Sequence, residues 1–314
     1  MSATALELNQ VTKLYGDFRA VDQISFQLEA GQVYGFLGPN GAGKTTTIRM
    51  ILDIIRPTSG SIQVLGSPSA LQVRQRIGYL PEEKGLYKKM KSWSVIAYFG
   101  TLKGLSKKVA KDRAFALLEK YGLKDFAESQ TEGLSKGMGQ KVQVLASIVH
   151  EPDLVILDEP FSGLDPVNQQ VMEEIIRDLA ARGRTVLFST HVMQHAERLC
   201  RRILLIARGK KLFDGTLDEA RRTLPRRVRV ATEDSIDCLS NLSGVVRFVE
   251  LEPKPGEATR RWELQIKEQF DPQEILQAAF RGGIRLRSFE QSDPSLHEVF
   301  VNMVGDEARE AGFR

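Results

Sequence analysis

A glycine-rich octapeptide constrains the fold of this chain more than any other feature of its sequence. It follows the pattern G-x-x-x-x-G-K-[ST] and consists of Gly38, Pro39, Asn40, Gly41, Ala42, Gly43, Lys44 and Thr45. The apolar run Val33–Leu37 before it is typical of a buried strand, and the apolar spacing over Thr46–Arg56 after it predicts a helix. Strand, loop and helix in this order indicate a phosphate-binding unit, because backbone N–H groups and the helix N-terminus point at the anion.

The residues at the end of the octapeptide have separate roles in this interpretation. Lys44 supplies a positive charge to the β- and γ-phosphates, and the Thr45 hydroxyl coordinates Mg²⁺. Thr46 follows at the start of the helix, where the N-terminus faces the same anion. Such an octapeptide arises by chance in only about one in a hundred chains of this length, so the pattern predicts a site for a nucleotide phosphate.

A second apolar run ends in two adjacent carboxylates. Leu154–Leu157 has the pattern of a buried strand, and this strand ends in Asp158 and Glu159. Adjacent residues on a strand point to opposite faces, so we expect the two carboxylates to have different roles. We assign Asp158 to the Mg²⁺ shell and Glu159 to a general base that polarises the attacking water. An acidic turn that only caps the strand is the alternative interpretation.

The chain has 314 residues, which is room for about two domains. Strands alternate with helices over residues 1–225, which predicts an α/β domain with a largely parallel sheet. Residues 84–150 are mainly helical in pattern and are expected to form a helical subdomain. From residue 226 to 314 the order is β-α-β-β-α-β with one more helix, which predicts a small α+β domain of ferredoxin-like type.

Further motifs, in their order along the chain, resemble the ATP-binding subunit of an ABC transporter over about residues 4–215. Leu134–Met138 is similar to the family signature Leu-Ser-Gly-Gly-Gln; Ser135 and Gly137 match it, whereas Lys136 and Met138 depart from it. The remaining matches are the D-loop that ends at Asp165, the switch histidine His191 and the adenine-stacking aromatic Tyr15. The resemblance implies a P-loop NTPase core with a RecA-like sheet, an antiparallel β subdomain and a helical subdomain.

Glu82 departs from the same family pattern. The family has Gln after Tyr-Leu-Pro, whereas this chain continues from Tyr79 through Leu80 and Pro81 to Glu82. A carboxylate can coordinate Mg²⁺ or position water, but near a triphosphate it adds repulsion that an amide does not. Glu82 is therefore either a metal ligand or a relay to the helical subdomain. With Lys84–Tyr87 after it, this form is similar to bacterial exporter ATPases of the sodium-efflux type, which have an extra C-terminal domain.

The resemblance also implies a mechanism with ATP and Mg²⁺ as cofactors. Two ATP-binding domains would sandwich two ATP molecules head to tail, as a homodimer or as a heterodimer with a related subunit. Ser135 and Gly137 would contact the γ-phosphate in trans, while Lys44, Glu159 and His191 would act in catalysis. Closure on ATP and opening after hydrolysis would drive transport.

A separate transmembrane permease subunit is the expected partner. No apolar run exceeds five residues, whereas a membrane-spanning helix needs about 20. The chain is therefore expected to be cytoplasmic and peripheral on the inner face of the cell membrane. Trp93 and Tyr98 lie where the family's membrane subunit docks, although packing inside the helical subdomain is the simpler interpretation of both.

Two other functions stay open from the sequence: a soluble ABC ATPase that acts on nucleic acid or the ribosome, and an ATP-dependent regulatory module. ATPases of the first kind usually place two ATP-binding units in one chain or insert a long coiled coil. This chain has neither feature, so no nucleic-acid partner is expected. The first 225 residues carry 31 basic and 24 acidic side chains, an excess that suits a phosphate ligand, an anionic membrane or a nucleic acid alike.

Overall fold

The computed structural model describes residues 3–83, 85, 87–251 and 259–305. The chain divides into two compact units, Met1–Thr216 and Leu217–Arg314. The second unit thus begins at Leu217 rather than at the expected residue 226, because helix Leu217–Arg221 packs on the final helix Leu296–Val304. Lys84 and Leu86 of the segment expected to begin the helical subdomain lie outside the described residues, as do residues 306–314 of the expected second domain.

The first unit contains nine strands and six α-helices among the described residues. The strands are β1 (Thr4–Tyr15), β2 (Phe18–Glu29), β3 (Val33–Leu37), β4 (Ser59–Val64), β5 (Ile77–Leu80), β6 (Leu154–Asp158), β7 (Thr185–Thr190), β8 (Arg202–Ala207) and β9 (Lys210–Thr216). The helices are α1 (Lys44–Ile51), α2 (Ser92–Leu102), α3 (Lys107–Lys120), α4 (Lys136–Ile148), α5 (Pro166–Ala181) and α6 (Met193–Leu199).

A six-stranded sheet in the order β5-β6-β7-β3-β8-β9 forms the centre of this unit. Its first five strands are parallel, and β9 pairs with β8 in the antiparallel direction. Every residue of β6 and β7 is buried, which explains why these strands read as continuous apolar runs rather than alternating ones. The carboxyl ends of β3, β6 and β7 therefore meet at one edge of the sheet.

A separate three-stranded sheet in the order β2-β1-β4 is antiparallel throughout. Its buried residues, such as Leu6 and Ile24, join Phe36 of β3 and Ile48 of α1 in one hydrophobic core. The α/β core with an antiparallel β subdomain that the sequence indicated is confirmed by this topology.

Helix α1 is shorter than the sequence pattern indicates. It ends at Ile51, whereas the apolar spacing predicted a helix that reaches Arg56. Asp53 takes a left-handed φ of 56°, and the N–H groups of Ile54 and Ile55 both donate to the Arg49 carbonyl. This arrangement satisfies the last carbonyls of the helix and turns the chain away.

Helices α2, α3 and α4 lie in the segment 84–150 and pack on one another. Trp93 of α2 stacks on Phe115 of α3 with ring centroids 5.6 Å apart, so its ring packs within this helical group. Tyr98 is 39% exposed and meets Tyr87 edge to face. The two aromatic residues thus differ in environment, with Trp93 half-buried against Phe115 and Tyr98 exposed.

The second unit is an α+β sandwich. Its elements are α7 (Leu217–Arg221), β10 (Arg226–Thr232), α8 (Asp237–Ser240), β11 (Val245–Leu251), β12 (Arg260–Ile266), α9 (Gln273–Arg281), β13 (Leu286–Ser292) and α10 (Leu296–Val304). The strand order β11-β12-β10-β13 is antiparallel throughout. From β10 onward the element order and the sheet order are those of the ferredoxin-like arrangement that the sequence predicted.

None of the helices in the described part of the chain could span a membrane, since none has the necessary length and apolarity. The longest α-helix there, α5, has 16 residues, whereas a span needs about 20.

Candidate active site

The octapeptide connects β3 to α1, as its pattern indicates, and its glycines hold the loop close to other backbone. Gly43 has a φ of 101°, and a Cβ there would lie 2.7 Å from the Ala20 carbonyl oxygen. A Cβ at Gly38 would lie 2.2 Å from the Ile206 carbonyl oxygen. Only glycine satisfies both positions. Among the described residues no side chain caps the N-terminus of α1, so its first N–H groups can bind an anion.

Lys44 is the first residue of α1 and is only 5% exposed. Its ammonium donates to the carbonyl oxygens of Gly38 (2.7 Å) and Pro39 (3.2 Å). The same Nζ lies 3.3 Å from Oε1 of Glu159. Lys44 thus bonds to the carbonyls of its own loop. It also links this loop to Glu159, the carboxylate that directly follows β6.

The two carboxylates are adjacent in sequence but occupy different environments. Asp158 is the last residue of β6 and is 1% exposed. Burial raises its pKa, while the nearby hydroxyls of Ser189 and Thr45 lower it. Glu159 follows the strand and takes a left-handed φ of 50°. The sequence analysis placed both carboxylates on the strand and assigned them to its opposite faces. In the structure, the turn at Glu159, directly after the strand, separates the two carboxylates instead.

The sequence analysis did not identify Ser189, although in the structure its hydroxyl bonds to both acidic residues. It is fully buried in β7, opposite Asp158 in the parallel register. Its hydroxyl donates to Asp158 Oδ1 and accepts from the Glu159 N–H at 2.9 Å. The available sequence signal was a hydroxyl pair, Ser189 and Thr190, at the end of an otherwise apolar strand.

His191 lies directly after β7 and reaches the same carboxylate. Its Nδ1 is 3.0 Å from Glu159 Oε2, and its side chain is 46% exposed. Glu159 therefore lies between a buried ammonium and a partly exposed imidazole. A carboxylate held in this way at the carboxyl edge of a parallel sheet can accept a proton from a water molecule.

Glu82 lies at the same edge of the sheet. It follows β5 by two residues, and β5 pairs with β6 in a parallel register that matches Leu80 to Leu157. Glu82 is exposed and forms no hydrogen bond or ion pair with the part of the chain that the structure describes. Its neighbours in that part of the chain therefore do not fix its role.

The signature and D-loop residues lie at the N-termini of two helices. The Ser135 hydroxyl caps α4 by accepting from the Met138 N–H at 3.3 Å, and Gly137 is buried in the same turn. Asp165 caps α5 by accepting from the Asn168 N–H at 2.9 Å. Within residues 3–83, 85, 87–251 and 259–305, neither Ser135 nor Asp165 bonds to Lys44, Asp158 or Glu159.

Tyr15, the expected adenine-stacking residue, ends β1 and is 50% exposed. The ammonium of Lys13 lies 5.2 Å from the centre of its ring. The cation thus lies over the ring, and half of the residue is exposed.

Comparison with known proteins agrees with this architecture. Residues 21–162 match the family model described as ABC transporter. Residues 215–304 match a model described as the C-terminal domain of ATP-binding proteins that are DrrA1-3-like. The second match begins close to the structural boundary at Thr216, not at the predicted boundary near residue 225.

Individual relatives extend over nearly the whole chain. An uncharacterized ABC transporter ATP-binding protein YhaQ of Bacillus subtilis is 39% identical, covering 96% of this chain and 98% of the relative. The Nod factor export ATP-binding protein I of Cupriavidus metallidurans is 34% identical, covering 97% and 99%. A solved structure of an ATP-binding subunit of an ABC transporter is 32% identical, with a TM-score of 0.65, and the match covers 70% of this chain and 92% of that one. The chain therefore belongs to the ABC transporter family, in which it is an ATP-binding subunit with ATPase activity.

Proposed function

We propose that this subunit powers a membrane exporter by closing a head-to-tail dimer around two ATP molecules. The observation that carries the proposal is the position of Glu159 between Lys44 (3.3 Å) and His191 (3.0 Å). A carboxylate at this position would accept a proton beside the loop that we propose binds phosphate. The relatives described above are transporter ATPases, so the alternatives of a nucleic-acid ATPase and a regulatory module are not favoured.

The octapeptide and Tyr15 are proposed to bind the nucleotide. The backbone N–H groups from Gly41 to Thr46 would surround the β- and γ-phosphates, at the uncapped N-terminus of α1. Lys44 would exchange its bonds to the loop carbonyls for bonds to phosphate oxygens. The open half of the Tyr15 ring is available for stacking on adenine.

The residues around Asp158 fit a divalent cation. Oδ2 of Asp158 is buried and has no hydrogen-bond partner within the described residues, and the hydroxyl of Thr45 lies next to the same carboxylate. Buried oxygen donors of this kind suit Mg²⁺. When bound, Mg²⁺ supplies positive charge that stabilises the negative charge on the phosphates. Glu82 is a third, more exposed oxygen donor at this edge.

In the proposed hydrolysis, Glu159 accepts a proton from the water that attacks the γ-phosphorus. Ser189 holds its backbone N–H, and His191 orients the carboxylate through Oε2. When Glu159 takes up the proton, its carboxyl group becomes neutral and attracts the Lys44 ammonium less. The phosphate oxygens would then hold the ammonium more strongly.

The signature residues support a dimer. Ser135 and Gly137 lie at the N-terminus of α4, and within the described residues Ser135 does not bond to its own phosphate loop. A second copy, or a related subunit, would present its signature to that loop, since a helix N-terminus favours phosphate. ABC ATP-binding subunits work with separate transmembrane components. We propose such a permease as the partner, with this chain on the inner membrane face.

The experiment that tests this function is Glu159→Gln. The variant should bind ATP but lose roughly 10² to 10⁴ in turnover, because the positioned base is gone. It should therefore accumulate as an ATP-loaded dimer, which gel filtration with ATP and Mg²⁺ detects. Glu151→Gln is a matched control, since Glu151 also has a positive φ (56°) and lies beyond the opposite end of β6. A Glu159→Gln chain that stays monomeric with wild-type turnover would contradict the proposal.

A further inference from the structure

The first turns of α4 pack along the loop that follows Glu159 in the same chain. The Lys136 side chain lies over Gly163, where a Cβ would be 2.2 Å from the Lys136 Nζ. A Cβ at Gly137 would lie 2.4 Å from Nδ2 of Asn168. The signature helix and the segment from Glu159 to α5 are therefore in close contact over several residues.

Gln140 of α4 contacts the residue that directly follows Glu159. Its side chain is 3% exposed, and its Nε2 donates to the Pro160 carbonyl oxygen at 2.5 Å. Pro160 directly follows Glu159. Proline has no N–H to donate, so the backbone hydrogen bonds that hold this peptide in place involve its carbonyl and the groups of Glu159.

The backbone at Glu159 needs such support. A residue with a side chain takes a left-handed φ only at an energetic cost, which the surrounding structure must offset. Hydrogen bonds from the sheet, from the turn itself and from α4 hold it in place. The Glu159 N–H donates to Ser189 Oγ, the Ser162 N–H donates to the Glu159 carbonyl at 3.1 Å, and Gln140 donates to the Pro160 carbonyl. The first comes from the sheet and the last comes from α4.

We propose that Gln140 is a positioning residue for Glu159 of its own chain and that it couples the signature helix to that carboxylate. The proposal rests on the role of Glu159 given above. A signature helix that engages phosphate in one site of the dimer would thereby adjust the base in the other site. Of the contacts between the two segments described above, the Gln140 hydrogen bond is the one that reaches the peptide directly after Glu159, so a substitution of Gln140 tests this link.

The substitution that breaks the connection is Gln140→Met. Methionine has nearly the same shape and volume as glutamine but cannot donate a hydrogen bond. Gln143→Met is the matched control, because Gln143 lies one turn later on the same helix and forms no hydrogen bond with the described residues. Gln140→Asn keeps the amide but draws it back by one methylene, so it tests the same contact if the methionine variant does not fold.

The first measurement does not depend on catalysis. The chain has four histidines; His191 bonds to Glu159, and His195 stacks on Phe161 with ring centroids 4.0 Å apart. In protein labelled with ¹³C at the histidine Cε1, Gln140→Met should shift the His191 and His195 resonances and leave that of His297 in place. An unchanged His191 resonance would overturn the proposal, whether or not the chain hydrolyses ATP.

The second measurement separates positioning from binding. Misplacing a catalytic group by about 1 Å costs about 10²-fold in rate, so we expect Gln140→Met to lose about tenfold to a hundredfold in kcat. The KM for ATP should stay within about twofold, because the phosphate loop is untouched. Wild-type kcat, or a loss that appears only in KM, would overturn the role of Gln140. Failure of the proposed function would instead appear in the Glu159→Gln experiment.

Discussion

At the scale of single residues, the Ser189 hydroxyl serves both acidic residues of the site. It donates to Asp158 and accepts from the Glu159 N–H. Because the donor and the acceptor are both buried, removing the hydroxyl leaves each without its partner. Such a loss costs about 1–3 kcal/mol per unsatisfied group. The same hydroxyl also lowers the pKa of Asp158 against the opposing effect of burial.

Ser189→Ala should therefore lower both stability and activity. With two groups left unsatisfied, we expect a loss of about 2–6 kcal/mol in the free energy of unfolding and about tenfold in the ATPase rate. The pKa of Asp158 should rise further, so activity should be lost at a higher pH as the solution is acidified. Denaturant unfolding and an ATPase pH profile measure these effects. Ser147→Ala is the control, since among the described residues the buried Ser147 hydroxyl bonds within α4, to the Val144 carbonyl; an equal effect there would contradict the assignment.

Glu82 is the second residue with a specific prediction. In the proposed site, Thr45 and the buried Asp158 would already supply oxygen donors for Mg²⁺, whereas Glu82 is exposed. We therefore favour a relay role, and Glu82→Gln should keep its ATPase activity with an unchanged Mg²⁺ requirement. A titration of the ATPase rate against Mg²⁺ measures this, with Glu83→Gln as the neighbouring control. A several-fold higher half-saturation in Glu82→Gln alone would show that the carboxylate is a metal ligand.

The sequence predicted those parts of the site that depend on local patterns. The octapeptide and the pair Asp158–Glu159 each follow a short apolar strand, so their positions could be read directly. The role of Ser189 could not, because it arises from the pairing of β6 with β7 across 31 residues. Likewise, Gln140 meets Pro160 only once α4 has packed on the sheet. The side chains that we propose to position the catalytic groups are thus set by tertiary contacts that no local pattern contains.

At the scale of elements, local sequence patterns predict the centres of helices and strands but not their ends. From β10 onward the order of elements in the second unit agrees with the prediction, because each has its own apolar period. Helix α1, in contrast, ends at Ile51 because Asp53 adopts a left-handed φ. Apolar spacing carries no signal for that turn, and the spacing continues to Ile55 beyond the actual end of the helix.

The contact between α4 and α5 gives a prediction at this scale. In Gly137→Ala the new methyl group would meet Asn168 at 2.4 Å and should displace its side chain from Asp165, which it bonds at 2.6 Å. Such overpacking costs about 1–3 kcal/mol in the free energy of unfolding. Asn168→Ala in the same chain should restore most of that loss, because it removes the colliding atoms.

Denaturant unfolding of the wild type, the two single variants and the double variant measures this coupling. The interaction energy should be favourable, with the double variant more stable than the sum of the single changes indicates. Simple additivity would mean that the methyl group is accommodated elsewhere and that α4 and α5 do not meet as described.

At the scale of the whole molecule, the chain contains one set of ATP-binding motifs and two compact units. The sequence prediction put the boundary near residue 225 rather than at Thr216, because α7 has only five residues, too few to show a helical period. Its membership of the second unit comes from its packing on α10. One set of motifs per chain also means that any complete site with a signature in trans must be shared between two chains.

Mixing two inactive variants tests whether the sites are shared. Ser135→Arg blocks the signature and Lys44→Ala disables the phosphate loop, so each variant alone should be inactive. In a mixed dimer, the intact loop of the Ser135→Arg chain faces the intact signature of the Lys44→Ala chain, which completes one site. Random pairing makes half of the dimers mixed, so independent sites should give about a quarter of the wild-type rate. Differently tagged chains verify that mixed dimers form. If such dimers are present and no activity returns, either the sites are not shared or both must be intact, and the independent head-to-tail arrangement is wrong.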